Sequence, residues 1–280
     1  MKPPIGRDTR LCMALAARPG NTGPRLHNEL YEALGLDYVY KSFSTTDLVA
    51  AIGGIKALGV RGCAISMPFK EAVIPLLDAL EPSAAAIASV NTIVNDDGYL
   101  TGHNTDYIAA HTLLARRGLD PATPFVLRGS GGMAKAVAAA LHDLGYRQGV
   151  IVARNPASGG ALAEAYGYTW SADLPPERAP LLINVTPLGM EGPDCDALAF
   201  PQAWIAACDT AFDVVAQPAD TPFLQMAEAH GKTVISGAEV IVLQAIEQFV
   251  LYTGLRPSPA QIRAATTLAH GSAVADRLPL

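Results

Sequence analysis

Aromatic residues are scarce in this chain, at 6%, and charged residues make up only 16%. So few rings favour closely packed helices and sheets over a β-sandwich. No block of Lys or Arg interrupts the sequence, and the net charge is −6. Nucleic acid is thereby excluded as an expected partner, because phosphate binding needs a positive footprint. The four cysteines, Cys12, Cys63, Cys195 and Cys208, lie far apart with no C-x-x-C pair. That spacing excludes a zinc finger or a disulfide scaffold and leaves reduced, buried thiols. No apolar run approaches the ~20 residues a membrane helix needs. Nor does the start, Met1-Lys2-Pro3-Pro4-Ile5-Gly6, carry the apolar stretch of a secretory signal. A cytoplasmic protein with a small-molecule substrate, and with no membrane or nucleic-acid partner, is expected.

What the sequence does have is hydrophobic material, half of its 280 residues. That length suits about two domains at ~150 residues each. Short apolar runs alternate with helix-period stretches, the pattern of an α/β chain with parallel sheets. Strands are expected at 11–15, 38–43 and 62–67, and helices at 25–34 and, from Asp47, to Leu58. Pro68 is expected to open a helix reaching Leu80. The stretch 89–101, with Asp96-Asp97-Gly98 at its turn, reads as a hairpin. A second cycle of strands follows at 125–127, 150–152, 181–185, 210–215 and 233–235. Helices are expected at 133–144 and 239–253, with a last one after Pro257.

The glycine stretch Gly129-Ser130-Gly131-Gly132-Met133-Ala134 follows a predicted strand and opens a predicted helix. It fits G-x-G-x-x-A. Gly129 permits the tight turn, Gly131 lets the backbone approach a pyrophosphate, and Ala134 allows close helix–strand packing. The free N–H groups of the helix start would receive the phosphate charge. The next strand ends in Ala153-Arg154-Asn155, with no carboxylate for ribose hydroxyls. Arg154 can instead clamp a 2′-phosphate and stack on adenine, so NADP is the expected cofactor.

A second group of polar residues lies in the first half: Ser66-Met67-Pro68-Phe69-Lys70, Ser89-Val90-Asn91-Thr92 and Gly102-His103-Asn104-Thr105-Asp106. These segments resemble the V-T-x-P-F-K, V-N-T and G-D-N-T-D-G motifs of the shikimate dehydrogenase family. The glycine loop, Ala153-Arg154-Asn155, Phe212-Asp213-Val214-Val215, Thr221-Pro222-Phe223-Leu224 and Gln244-Ala245 match further family segments in order. The resemblance implies an α/β protein of two domains. A substrate domain would comprise residues 1–106 and 238–280, and a Rossmann-type NADP-binding domain residues 107–237, the two flanking a cleft. The C-terminal helices would return to the first domain. It implies reversible, NADP-dependent reduction of 3-dehydroshikimate to shikimate in aromatic amino-acid biosynthesis. Lys70 and Asp106 match the catalytic pair, and Ser66, Asn91 and Gln244 match substrate-binding positions. Thr186, Val214 and Gly237 fall on the cofactor side. Hydride transfer at a carbinol carbon is accompanied by proton transfer at its oxygen, and a lysine ammonium is a ready donor to the ketone.

The sequence also departs from the family. Where two serines of an S-x-S-P segment usually bind the substrate carboxylate, this chain has Asn21-Thr22-Gly23-Pro24. Ala64 replaces a usual asparagine and Ala216 a usual tyrosine. The departures resemble a divergent shikimate dehydrogenase-like branch, with Asn21 and Gly23 left at the anchor. Remote binding energy helps the chemical step as well as affinity, so poorer turnover of shikimate is expected. Two alternatives remain: a dehydrogenase of quinate or a related polyol carboxylate, and a dinucleotide-binding regulator that has lost catalysis.

Overall fold

The computed structural model describes residues 2–280. One compact unit runs to Thr105 and resumes over Val242–Leu278, and the other covers Asp106–Ile241. The divisions therefore fall at Thr105/Asp106 and Ile241/Val242, rather than after 106 and 237 as the sequence suggests.

In chain order, the first unit begins β1 (Arg10–Ala16), α1 (Thr22–Ala33), β2 (Tyr38–Ser44), α2 (Leu48–Ala57) and β3 (Gly62–Ile65). It continues with β4 (Ala79–Leu80), α3 (Pro82–Ile87), β5 (Thr92–Asp96) and β6 (Tyr99–His103). Helix α4 (Thr105–Arg116) leads into β7 (Phe125–Arg128), α5 (Gly132–Asp143), β8 (Gly149–Val152), α6 (Pro156–Tyr166) and β9 (Thr169–Ser171). Next come β10 (Leu181–Asn184), α7 (Gln202–Ala207), β11 (Thr210–Asp213), α8 (Pro222–Ala229) and β12 (Thr233–Ile235). Helices α9 (Gly237–Thr253), α10 (Pro259–His270) and α11 (Ser272–Arg277) close the chain. No helix among the described residues is long and apolar enough to cross a membrane.

The first sheet has the order β2-β1-β3-β5-β6-β4. Strands β1, β2 and β3 are parallel, whereas β5 runs antiparallel to β3 and forms the expected antiparallel hairpin with β6. Its tight turn places Asp97 and Gly98 at φ +51° and +92°, which Asp and Gly tolerate best. Leu15, Ile52, Ile55, Ile65, Val90, Ile93 and Leu100 fill the core on one side. Asp47 caps α2 by accepting from Ala50 N at 2.9 Å. The helix expected from Pro68 to Leu80 does not form. Pro75 lacks the N–H that a helix interior needs, and the segment makes turns, such as Val73 N to Phe69 O at 3.0 Å, before β4 pairs with β6.

The second sheet is wholly parallel, in the order β12-β11-β10-β7-β8-β9. Counted from its own first strand this is 6-5-4-1-2-3, the Rossmann arrangement, whose direction reverses between β7 and β10. Val126, Val152, Leu182, Phe200, Trp204, Phe223 and Leu224 make one core on it. Asn155 caps α6 through Ala157 N at 3.0 Å, and Thr221 caps α8 through Leu224 N at 3.3 Å. The capping box of α10 joins Ser258 and Gln261 reciprocally.

In the first unit α1 lays His27 into an aromatic box. Its ring stacks on Tyr40 at 4.3 Å between centroids and 4° between planes, with Tyr31, Phe249 and Tyr252 around it. His27 is fully buried, and neither ring nitrogen has a hydrogen-bond partner among the described residues. Burial pushes its pKa down to about 3. The folded state thus resists a proton that the unfolded chain accepts below ~6.5, and stability is lost as pH falls below that value. Urea titrations of the wild type and His27→Phe should diverge from pH 6.5 downward, the wild type losing about 1.4 kcal/mol per pH unit relative to the variant. Parallel curves would show that His27 does not stay neutral in the fold.

Candidate active site

Three segments of the first unit meet at Asn91. Ile65 N, at the end of β3, donates to Asn91 O at 2.7 Å, and Val90 N donates to Lys70 O at 2.8 Å. The turn carrying Ser66 and Lys70 is thereby pinned beside the start of β5. Asn91 itself is fully buried. Its Oδ1 accepts from Thr105 N and from Thr92 Oγ1, each at 2.8 Å, and its Nδ2 donates to Thr105 Oγ1 at 3.0 Å. Thr105 N is one of the amides at the start of α4 that no helical carbonyl can satisfy, so Asn91 caps that helix from another strand. Asn104 Nδ2 adds a second tie, to Ser89 O at 2.9 Å. Asp106, next in the chain after Thr105, is 1% exposed. Lys70 is half-buried, and Ser66 is exposed at the strand end.

Gln244 is half-buried on α9. One turn on, Gln248 is buried and donates to Thr92 Oγ1 at 3.1 Å. Sequence reasoning missed Gln248, Asn104 and Thr105 as positioning residues. The signal was a glutamine repeated at i and i+4 within an apolar helix, which puts both on one face. At the altered anchor, Asn21 is exposed and precedes α1 without capping it through its side chain. A Cβ at Gly23 would stand 3.2 Å from the Tyr40 ring. A side chain there would press on the aromatic box, and the ring would have to shift by a few tenths of an ångström.

The second unit brings its expected residues to the carboxyl edge of its sheet. Gly129 leaves β7 at φ +127°, a conformation that favours glycine, and a Cβ there would lie 2.8 Å from Val185. Gly131 opens onto free space, and Gly132, Met133 and Ala134 begin α5, with Ala134 fully buried. Ser130 Oγ meets Ser158 Oγ at 2.8 Å, and Ala153 and Arg154 lead to the Asn155 cap. Gly237 packs so tightly that a Cβ would come within 2.4 Å of Val214 O. Behind it, Glu239 accepts from Ser236 N at 2.8 Å and pairs with Arg117, fixing the start of α9.

Thr186 and Val214 are held by a buried network that the sequence motif did not explain. Asp213 accepts from Asn184 Nδ2 at 3.0 Å, Val215 N at 3.0 Å and Thr221 Oγ1 at 2.7 Å. Asn184 Oδ1 in turn accepts from Thr186 N at 3.0 Å and Thr186 Oγ1 at 2.6 Å. Burial outweighs these donors and pushes the Asp213 pKa up to about 6. The folded state holds this proton more tightly than the unfolded chain, so its contribution to stability falls as pH rises from about 4 through 6. Relative to Asp213→Asn, the wild type should lose roughly 3 kcal/mol across that interval in denaturant titrations, on top of a pH-independent difference. A constant offset would mean the carboxyl ionises as freely when folded.

Residues 21–93 match the family model described as the shikimate dehydrogenase substrate binding domain. A shikimate dehydrogenase-like protein of Haemophilus influenzae is 52% identical over 267 residues, covering 95% of this chain and 98% of that one. The NADP(+) shikimate dehydrogenase of Moorella thermoacetica is 38% identical, covering 85% of each chain. The solved shikimate 5-dehydrogenase of Thermus thermophilus, in complex with NADP(H) and shikimate, superposes with a TM-score of 0.83 at 32% identity. That match covers 92% of this chain and 99% of the other. With relatives this similar along almost the whole chain, the protein belongs to the shikimate dehydrogenase family.

Proposed function

We propose that this protein is an NADP-dependent dehydrogenase that interconverts shikimate and 3-dehydroshikimate, with Lys70 and Asp106 as its catalytic residues. The observation that carries the reading is the start of β5, where Val90 N donates to Lys70 O and the buried Asn91 bonds Thr105, so that the Lys70 turn and the residue before Asp106 are tied to one strand end. The loop after β7 suits a dinucleotide. Gly131 leaves open space ahead of the α5 amides, and Gly237 removes a side chain where backbone must come close. When bound, the nicotinamide supplies or accepts the hydride. The chain's own task is then the proton and the pose. In the reducing direction the Lys70 ammonium gives a proton to the ketone oxygen, and in oxidation the amine takes the hydroxyl proton back. Asp106 is the second member of the catalytic pair. Ser66 and Gln244 offer a hydroxyl and an amide group to the substrate hydroxyls, whereas Asn91, expected at a substrate-binding position, is fully buried and spends its amide on Thr92 and Thr105.

The serine-free anchor at Asn21 and Gly23 holds the substrate's far end differently, so turnover of shikimate is slower than in relatives that keep the serines. The missing serines leave a second reading, in which the preferred substrate is quinate or a related polyol carboxylate. Initial rates at 340 nm, with shikimate and quinate offered separately and with NADP and NAD, separate the two. The expected result is NADP reduction with shikimate, lowered on the order of 100- to 10,000-fold in Lys70→Ala. Activity with quinate alone would select the second reading. Silence with every pair, in protein that still binds NADP, would contradict both.

A further inference from the structure

Two guanidinium groups stand at neighbouring strand ends of the second unit. Arg128 is the last residue of β7 and is in register with Val152 of β8, two residues before Arg154. The backbone there is fixed on both sides. Gly129 N donates to Val152 O at 2.8 Å, and Val185 N donates to Arg128 O at 3.0 Å. Arg128 is half-buried and donates through Nη1 to Ala199 O, whereas Arg154 is exposed. Among the described residues neither is ion-paired to a carboxylate. Burial and the nearby positive charge of Arg154 both make the Arg128 charge less favourable. The hydroxyls of Ser130 and Ser158, 2.8 Å apart, bridge from the residue two places after Arg128 to the first turn of α6.

Placing one cation against another costs free energy unless an anion lies with them, and this protein is acidic overall, at −6. The Ala199 carbonyl holds Arg128 in place, so the pair is not relieved by swinging that side chain into solvent. A phosphate monoester, with a charge near −2 and three strong acceptor oxygens, matches two guanidiniums where a ribose hydroxyl would not. We propose that Arg128 is a specificity-determining residue that acts with Arg154 to seat the 2′-phosphate of NADP. The residue preceding the glycine loop thereby shares in the choice of NADP over NAD. This rests on the reading of the second unit as NADP-binding and adds a residue that the glycine and Arg154 motifs do not supply.

The test is isothermal titration of the full chain with NADP, NAD and 2′,5′-ADP, comparing the wild type with Arg128→Gln, Arg128→Lys and Arg154→Gln. Arg128→Gln should weaken NADP and 2′,5′-ADP about 10-fold or more and leave NAD unchanged, as expected for loss of one charged hydrogen-bond donor. Arg128→Lys should recover part of that loss, and Arg154→Gln should reproduce it. An Arg128→Gln protein with wild-type affinity for NADP would overturn the proposal. So would equal losses for NADP and NAD, which would mark Arg128 as a support of the fold only. A wild type that binds NADP and NAD alike would instead overturn the NADP reading itself, before any variant is considered.

Discussion

The first unit depends on one buried carboxamide. Asn91 has nowhere to find water, so its groups must be satisfied inside the protein, and leaving one unpaired costs about 1–3 kcal/mol. The bonds that satisfy it reach Thr92, Thr105 and, through the backbone, Ile65 and His103. These partners lie on β3, β5, β6 and the start of α4. Because each bond has a narrow range of good geometry, satisfying all of them leaves little freedom in where Ile65, His103 and Thr105 are held. The hairpin of β5 and β6 has a purpose in this light. It returns the chain, after a tight Asp97-Gly98 turn, to the point where Asn91 can cap α4.

The second unit solves a similar problem with different chemistry. The order of its strands reverses between β7 and β10, and the loops on either side of that point must carry polar groups without sinking into the core. Asn184 and Asp213 sit on adjacent strands in register and share a hydrogen bond across the sheet edge. Their side-chain oxygens also fix Thr186 on one loop and Val215 and Thr221 on the next. Gly237 completes the edge sterically, since any side chain would strike the carbonyls of Val214 and Val215.

Most strands and most long helices were legible in the sequence, because a buried parallel strand reads as a short apolar run and a capped helix declares its first turn. The glycine loop was legible for the same reason, being backbone chemistry written in residue type. The 68–80 segment misled because Pro68 suits a helix start, while Pro75, which a helix interior rejects, lies only seven residues on. The positioning residues were harder to see. Asn104, Thr105, Asn184 and Gln248 are ordinary polar residues until the fold brings their partners together from distant parts of the chain. The pairing of Gln248 with Thr92, 156 residues apart, leaves no local trace. The loss of serine at Gly23 was visible as a departure, whereas the Tyr40 ring that a Cβ there would approach to 3.2 Å lies on β2.

The central claim is that Asn91 organises a reaction centre for shikimate rather than merely filling a core. The most direct measurement sets shikimate-dependent NADP reduction by Asn91→Ala beside its NADP affinity from calorimetric titration. The expected result is turnover lower by on the order of 100-fold or more, as when a catalytic group is misplaced, with NADP affinity kept by the intact second unit. Wild-type turnover in that variant would contradict it.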